Sequence, residues 1–229
     1  MAIFDVDVSR DILADSRLAA AGEIAVARVR DYRPGLFPEE AAYASSVVRS
    51  RALEFAAGRM VARRALGRIG VPDCEIPRRG RLPVWPPSAV GSIAHTRSLA
   101  AAIVGPAADH DGIGIDVENR TAVSPEVAER VLTPAERAWL PAPEWRSMVF
   151  SSKEAVYKAV YPLTGEFLGF GDVELDIDAG AGEFRARCRR NLRSAVPVGA
   201  GRGYWAVYRG HWLVVFLIPR DGSCWRADT

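Results

Sequence analysis

The spacing of apolar residues predicts one long helix in the first half of the chain. Across residues 47–68, apolar side chains recur at alternating intervals of four and three, which is the period of one helical face. Pro38 indicates the start of a shorter helix before it, and Gly70 and Pro72 favour a stop after it. The stripe is formed by Val48, Ala52, Phe55, Arg59, Ala62, Leu66 and Ile69. An arginine on such a stripe either extends along its stem to reach water or contacts an anion.

The second half of the chain predicts short strands around another long helix. Residues 98–104 and 112–117 have the apolar content of short buried strands, and 72–87 form a loop rich in proline and arginine. Helix starts are predicted at Ser124 and at the capping box from Thr133 to Glu136, and a longer helix is predicted over about 144–160, ending before Pro162. Four strands follow at 172–178, 183–188, 204–208 and 211–218. This order predicts an α+β fold in two halves that meet near residue 110.

Composition places the chain among ordinary globular proteins. Apolar residues make up 49% and charged residues 25% of its 229 residues, which excludes disordered and fibrous classes. No apolar run approaches the roughly 20 residues of a membrane span, and the first residues lack a signal-peptide pattern, so we expect neither membrane insertion nor export. The three cysteines, Cys74, Cys188 and Cys224, are widely separated, which favours a reducing cytoplasm.

The kinds of basic residue are more informative than the net charge. The net charge of +2 is too small to indicate general nucleic-acid binding. Of the 30 basic residues 28 are arginines, and the two lysines, Lys153 and Lys158, lie in one predicted helix. A lysine ammonium is a compact charge that arginine replaces poorly at a reacting phosphate.

Two acidic residues in one predicted strand are candidates for a metal site. Asp116 and Glu118 are two apart, so their side chains project from the same face. Adjacent carboxylates repel each other and a divalent cation relieves that repulsion; Mg²⁺ suits such a site because it prefers oxygen ligands and often shares them with substrate phosphates. The alternative is a pair of ordinary surface acids at a strand end.

The helix with both lysines holds a third carboxylate. Glu154 and Lys158 are four residues apart and share a helical face, whereas Lys153 lies about 100° around the helix from Glu154. Together with Asp116 and Glu118 they could stabilise moving charge in a phosphoryl displacement. The alternative is a routine surface ion pair of small energetic value.

Positive charge is concentrated upstream. Residues 49–81 hold nine arginines against three acids. Arg51, Arg59 and Arg63 lie on neighbouring helical faces, where several guanidinium groups can grip a polyphosphate. His95 precedes the buried strand predicted at 98–104, a position more typical of a hydrogen-bonded structural histidine.

Four motifs in register resemble those of the 4'-phosphopantetheinyl transferases, in particular the monomeric Sfp-type superfamily and its enterobactin-synthase-like branch. They are Trp85-Pro86, Gly91-Ser-Ile-Ala-His-Thr96, Gly114-Ile-Asp-Val-Glu118 and Phe150-Ser-Ser-Lys-Glu-Ala-Val-Tyr-Lys158. Two positions depart from the common pattern: Phe150 replaces a frequent tryptophan, and Ala94 replaces the serine or threonine usual before the histidine.

The resemblance implies a pseudo-twofold arrangement of two similar α+β subdomains, 1–110 and 111–229, with coenzyme A (CoA) between them. It implies transfer of phosphopantetheine from CoA to a serine of an apo acyl, peptidyl or aryl carrier protein, with release of 3',5'-ADP. The implied Mg²⁺ ligands are Asp116, Glu118 and Glu154. Glu154, or a water near it, would take the serine proton, Lys158 would assist the leaving phosphate, and Lys153 would add positive charge. The residues implied to hold CoA are Arg51, Arg59, Arg78, Ser92, His95, Lys153 and Lys158, with Arg79 or Arg81 as alternatives to Arg78.

Two other functions remain open on the residues alone. The acids would permit a magnesium-dependent phosphohydrolase, and the arginines of 49–81 would permit a nucleic-acid-binding module, although that module leaves the carboxylates and lysines unexplained. The resemblance instead implies a cytoplasmic monomer that binds neither nucleic acid nor membranes. The pathway and the carrier proteins served are left undefined by the sequence.

Overall fold

The computed structural model describes residue 18 and residues 21–31, 35–121 and 123–220. It confirms the α+β class. In the first half, a three-stranded antiparallel sheet has the order β1-β5-β4 and is covered by the long helix α2. Its elements are β1 (Glu23–Arg28), α1 (Pro38–Ser45), α2 (Arg49–Arg68), β2 (Arg78–Arg79), β3 (Leu82–Pro83), β4 (Ala89–His95) and β5 (Leu99–Pro106).

The second half is a five-stranded antiparallel sheet of order β6-β10-β9-β8-β7, covered by another long helix, α5. Its elements are β6 (His110–Asn119), α3 (Pro125–Val131), α4 (Pro134–Trp139), α5 (Trp145–Thr164), β7 (Val173–Asp178), β8 (Glu183–Cys188), α6 (Ala195–Ala200), β9 (Arg202–Tyr208) and β10 (His211–Pro219). Short 3-10 turns lie at Val29–Asp31 and Phe170–Asp172. Within the described ranges, no helix is long and apolar enough to cross a membrane.

Helix α2 buries a broader face than the predicted stripe. Val48 precedes the helix and is 73% exposed, whereas alanines between the stripe positions are fully buried. Gly58 contributes to this close packing, since a Cβ there would lie 2.9 Å from the Ile93 side chain of β4. Small residues therefore bring α2 close to β4, where His95 lies.

Helix α5 continues past the proline that was predicted to end it. Pro162 lies in the last turn of the helix, where it removes a single backbone donor, and the helix ends at Gly165, which has φ +65°. Glycine also brings the helix close to the sheet. A Cβ on Gly114 would lie 1.9 Å from the carbonyl oxygen of Ala155. This close approach sets Asp116 of β6 directly beside α5.

Candidate active site

Asp116 and Lys158 form the centre of the candidate site. Lys158 Nζ donates to Asp116 Oδ1 at 2.6 Å and to the carbonyl oxygen of Ile115 at 3.2 Å. Ser151 Oγ donates to Asp116 Oδ2 at 2.8 Å. Asp116 is buried, and both of its carboxylate oxygens have a donor from α5. The strand and the helix thus hold one carboxylate in a fixed orientation.

Glu118 and Glu154 add negative charge around this pair. Burial, with a smaller contribution from Asp116, raises the pKa of Glu118 to about 7. Burial also raises the pKa of Glu154, and Lys158 opposes that rise. In the residues that the structure describes, no three His, Cys, Asp or Glu side chains already form a group that could hold a metal ion. The three predicted carboxylates nevertheless influence one another electrostatically. The negative charges of Glu118 and Glu154 are only partly balanced by the positive charge of Lys158.

Lys153 does not join this group. Its Nζ forms an ion pair of 2.8 Å with Glu136 Oε2 and donates to the carbonyl oxygens of Val131 and Phe170 at 2.8 and 2.9 Å. Both side chains of the pair are 1% exposed. Glu136 in turn accepts the backbone N–H groups of Thr133 and Leu175. The structure therefore places Lys153 in a buried network of the second half, turned away from Asp116, in contrast to the phosphate contact that the resemblance implied.

The predicted arginines meet at a cavity of about 440 Å³ between α2 and the β2–β4 segment. The sequence-predicted residues that line it are Arg51, Arg59, Arg78, Arg81 and His95. Tyr43 and Phe55 form aromatic walls: the Arg78 guanidinium lies 3.9 Å from the Tyr43 ring centre and that of Arg59 lies 4.4 Å from the Phe55 ring centre. Arg79 is exposed and is not among the lining residues. This cavity has the charge to hold an anion.

Arg59 is held in place by buried partners. Its Nε donates to the carbonyl oxygen of Ile76 at 2.8 Å, and the side chain is only 6% exposed. Glu40 Oε1 lies 3.9 Å from the same nitrogen, while both oxygens of Glu40 accept from Arg63 Nη1. Burial lowers the pKa of Arg59 to about 10, which leaves it charged near neutral pH. Arg59, which lies on the apolar stripe of the sequence, is therefore buried in the structure. Arg63 neutralises Glu40 in the same buried network.

Glu40 is a residue that the sequence analysis missed as part of the site. It is 1% exposed and also accepts the backbone N–H groups of Phe37 and Ile76. Glu40 is the third residue of α1 and caps the helix through Phe37, but its partners on α2 and on the chain before β2 come only from the tertiary fold.

His95 is paired with Arg51 and Glu54 rather than isolated. Arg51 Nη1 lies 2.7 Å from His95 Nε2, and Glu54 Oε2 lies 3.5 Å from His95 Nδ1. Burial, together with the Arg51 charge, lowers the pKa of His95. A neutral imidazole can accept from Arg51 through Nε2, so the arrangement sets the direction of both side chains at the cavity.

A second cavity of about 250 Å³ adjoins the first. Arg81, Pro83 and Ile93 line both cavities. Its other walls include three aromatic side chains and two charged residues of α5: Trp85, Tyr157, Tyr161, Glu154 and Lys158. Ser92 and Asp111 also line it. Ser92, predicted to hold CoA, thus lies on the second cavity and not on the arginine-rich one.

Glycine is required at the wall of this second cavity. A Cβ on Gly91 would lie 2.6 Å from the carbonyl oxygen of Ile103 and 3.0 Å from the Trp85 ring. These distances are too short for any larger residue to be accommodated without movement of backbone. The Gly91 motif therefore has a packing reason, since the absence of a side chain at Gly91 lets the Trp85 indole approach β4 closely.

Two family models match the two halves of the chain. Residues 39–105 match the 4'-phosphopantetheinyl transferase N-terminal domain, and residues 112–208 match the 4'-phosphopantetheinyl transferase superfamily. The 4'-phosphopantetheinyl transferase Svp of Streptomyces mobaraensis is 42% identical over 197 residues, which cover 80% of this chain and 78% of Svp. The 4'-phosphopantetheinyl transferase PptT of Mycobacterium tuberculosis is 35% identical over 210 residues, covering 86% of this chain and 92% of PptT.

A third relative matches over a shorter stretch of the chain. Enterobactin synthase component D of Salmonella typhimurium is 36% identical over 123 residues, half of each chain. The identities and coverage of the two longer matches establish the relationship across both halves. The chain belongs to the 4'-phosphopantetheinyl transferase superfamily.

Proposed function

We propose that this chain transfers the 4'-phosphopantetheine group of CoA to a serine of an apo carrier protein and releases 3',5'-ADP. The observation that carries the proposal is that two cavities of different character adjoin each other. Glu154 and Lys158 lie on the cavity lined by Trp85, Tyr157 and Tyr161, called the aromatic cavity below. The cavity beside it, lined by Arg51, Arg59, Arg78 and Arg81, is called the arginine-rich cavity. CoA has the same division, because a highly charged nucleotide is joined through a pyrophosphate to a long neutral arm.

The two cavities sort the two ends of CoA by charge. The nucleotide and its phosphates enter the arginine-rich cavity, where Arg51, Arg59, Arg78 and His95 meet them. The pantetheine arm enters the aromatic cavity, with Ser92 at its wall. The pyrophosphate then lies where the cavities adjoin, close to Lys158. Arg81 lines both cavities and is therefore a further candidate for a phosphate contact.

Three carboxylates near Lys158 have the chemistry of a magnesium site, although among the described residues they do not form a ready group without the cation. Asp116, Glu118 and Glu154 would hold Mg²⁺, which supplies positive charge to a bound pyrophosphate. Support comes from their electrostatics: the pKa of Glu118 is raised to about 7 and that of Glu154 is raised as well, as expected for buried carboxylates that lack sufficient positive charge. A divalent cation would relieve that deficit.

The reaction assigns a separate role to each remaining group. Glu154, or a water molecule beside it, takes the proton from the carrier serine, since a carboxylate that lines the cavity can act as a general base there. The serine oxygen forms a bond to the phosphorus of the pantetheine phosphate as the bond from that phosphorus to 3',5'-ADP breaks. Lys158 lies one turn from Glu154 and faces the charge that grows on the leaving phosphate.

We also assign the reaction to a cytoplasmic monomer with two subdomains, 1–110 and 111–229. The boundary is supported by the two family matches, which end at residue 105 and begin at residue 112. The two sheets also divide there, since β5 ends at Pro106 and β6 begins at His110. CoA and carrier proteins are the proposed partners, and we propose no interaction with nucleic acid or membranes.

The decisive experiment incubates the purified chain with CoA, Mg²⁺ and a panel of apo carrier proteins and reads intact masses. We expect one phosphopantetheine group on the carrier serine, with no transfer in EDTA. Asp116→Asn, which keeps the size of the side chain but removes its charge, should lose transfer. Release of free phosphate from CoA without a mass gain on any carrier would instead identify a phosphohydrolase and overturn the proposal.

A further inference from the structure

We propose that Asp111 recognises the pantetheine arm of CoA by accepting a hydrogen bond from one of its amide N–H groups. This inference rests on the function proposed above and names a residue for the part of the substrate that carries no charge. Asp111 lies on β6, five residues before Asp116, and lines the aromatic cavity together with Glu154 and Lys158.

The first observation is an unpaired acceptor. Asp111 Oδ2 is buried and has no hydrogen-bond partner among the residues that the structure describes. Buried carboxylate oxygens normally have partners because desolvation without a hydrogen bond is costly. Asp116, on the same strand, follows that rule through Ser151 and Lys158. Asp111 is therefore ready to accept a donor that the described residues do not provide.

The second observation is the character of the cavity. Most of its lining is apolar or aromatic, including Trp85, Ile113 and Tyr161. A carboxylate in such a wall repels phosphate and favours a neutral group with an N–H donor. The phosphates of CoA are therefore directed towards the arginine-rich cavity, and the arm, which has two amides, is the part of CoA that Asp111 can bind.

Distance along the strand indicates which amide. Five strand residues span about 17 Å, so Asp111 lies well away from the pyrophosphate position beside Asp116. The extended arm covers a comparable distance, which brings its outer half towards Asp111. We therefore assign the contact to the amide nearer the thiol.

The test compares two ligands that differ by the arm. CoA and 3',5'-ADP share the nucleotide, but only CoA carries pantetheine. Isothermal titration in Mg²⁺ without a carrier protein measures binding of each ligand to the parent chain, Asp111→Ala and Asp111→Asn. Asp109→Asn is the matched control, because Asp109 is an exposed aspartate two residues away that does not line the cavity.

We expect Asp111→Ala to raise the Kd for CoA about tenfold, as for loss of a charge-assisted hydrogen bond, and to leave the Kd for 3',5'-ADP unchanged. Asp111→Asn should show a smaller loss, because its amide oxygen still accepts, and Asp109→Asn should match the parent. An unchanged CoA affinity in Asp111→Ala or equal losses for both ligands would overturn the assignment. A parent chain that binds neither ligand would refute the proposed function itself.

Discussion

Removal of the Lys153 ammonium should destabilise the fold rather than weaken CoA binding. Lys153→Met keeps most of the aliphatic stem and removes the charge. It leaves Glu136 buried without its cation, and it leaves the carbonyl oxygens of Val131 and Phe170 without this donor. The change therefore tests whether this lysine belongs to the substrate site or to the core.

The expected magnitude follows from the burial of both partners. Each side chain of the pair is 1% exposed, so water cannot replace the lost contact. Removal of one member of a buried ion pair typically costs about 3–5 kcal/mol, a large part of the roughly 5–15 kcal/mol that stabilises a domain. A chain of 229 residues has a urea dependence in the upper part of the usual range, about 2–3 kcal/mol per molar, so the unfolding midpoint should fall by about 1–2.5 M.

Urea unfolding and steady-state kinetics together separate the two roles. Lys158→Met is the matched control, because it makes the same change five residues along the same helix at a side chain that is 28% exposed. We expect it to retain more stability and lose more kcat than Lys153→Met. Glu136→Gln combined with Lys153→Met should recover part of the lost stability, since it removes the uncompensated charge and its one amide oxygen can still accept one of the two backbone N–H groups that Glu136 holds.

The opposite pattern would refute this reasoning. A Lys153→Met variant with the parental urea midpoint and a raised KM for CoA would show that Lys153 contacts the substrate phosphates and does not stabilise the core. A double variant no more stable than Lys153→Met would show that the uncompensated Glu136 charge is not the source of the loss.

Three further predictions concern the site itself. Arg59→Ala should raise the Kd of both CoA and 3',5'-ADP about ten- to a hundredfold in calorimetric titrations, because it removes the charge-assisted contact proposed for the nucleotide end. Lys158→Arg should rescue kcat poorly in the carrier assay, since the larger planar guanidinium cannot place its charge where the compact Lys158 ammonium lies, in contact with both Asp116 Oδ1 and the carbonyl oxygen of Ile115. The third concerns pH: the pKa of Glu118 is raised by burial from 4.5 to about 7, so the folded chain without metal should lose stability as the pH rises through that interval. In EDTA, Glu118→Gln should therefore melt above the parent at about pH 8 and together with it at about pH 4, and equal melting temperatures at both values would contradict the electrostatic picture.

Periodicity predicted the two long helices well because each has a strong local signal. Helix α2 begins two residues later than predicted and ends at the same residue. The strand β4 was missed because Ala89–His95 consists mostly of small residues and has no clear alternation. Its strand conformation depends on pairing with β5 and on the close approach of α2 at Gly58. Such contacts between distant segments are not encoded in a local pattern.

The choice among the arginines that could contact CoA was also beyond what a local sequence pattern can predict. Three arginines, Arg78, Arg79 and Arg81, were indistinguishable within a loop rich in that residue. A two-stranded hairpin pairs Arg78 with Pro83 and Arg79 with Leu82, and this register exposes Arg79 while Arg78 and Arg81 line the cavity. The choice is made by the hairpin register, which the sequence did not reveal.

Helix α5 links the stability of the second half to the chemistry of the cleft. Lys153 and Glu154 are consecutive, so the helix turns them about 100° apart. One enters a saturated buried network, while the other lines the cavity with a raised pKa. The first contact fixes the rotation of the helix and thereby the direction of Glu154 and Lys158. A bound metal ion would neutralise the carboxylates on the side of α5 that faces the cavity, and substrate phosphates would neutralise Lys158 there. Binding should therefore stabilise the helix that the Lys153–Glu136 pair holds on its buried side.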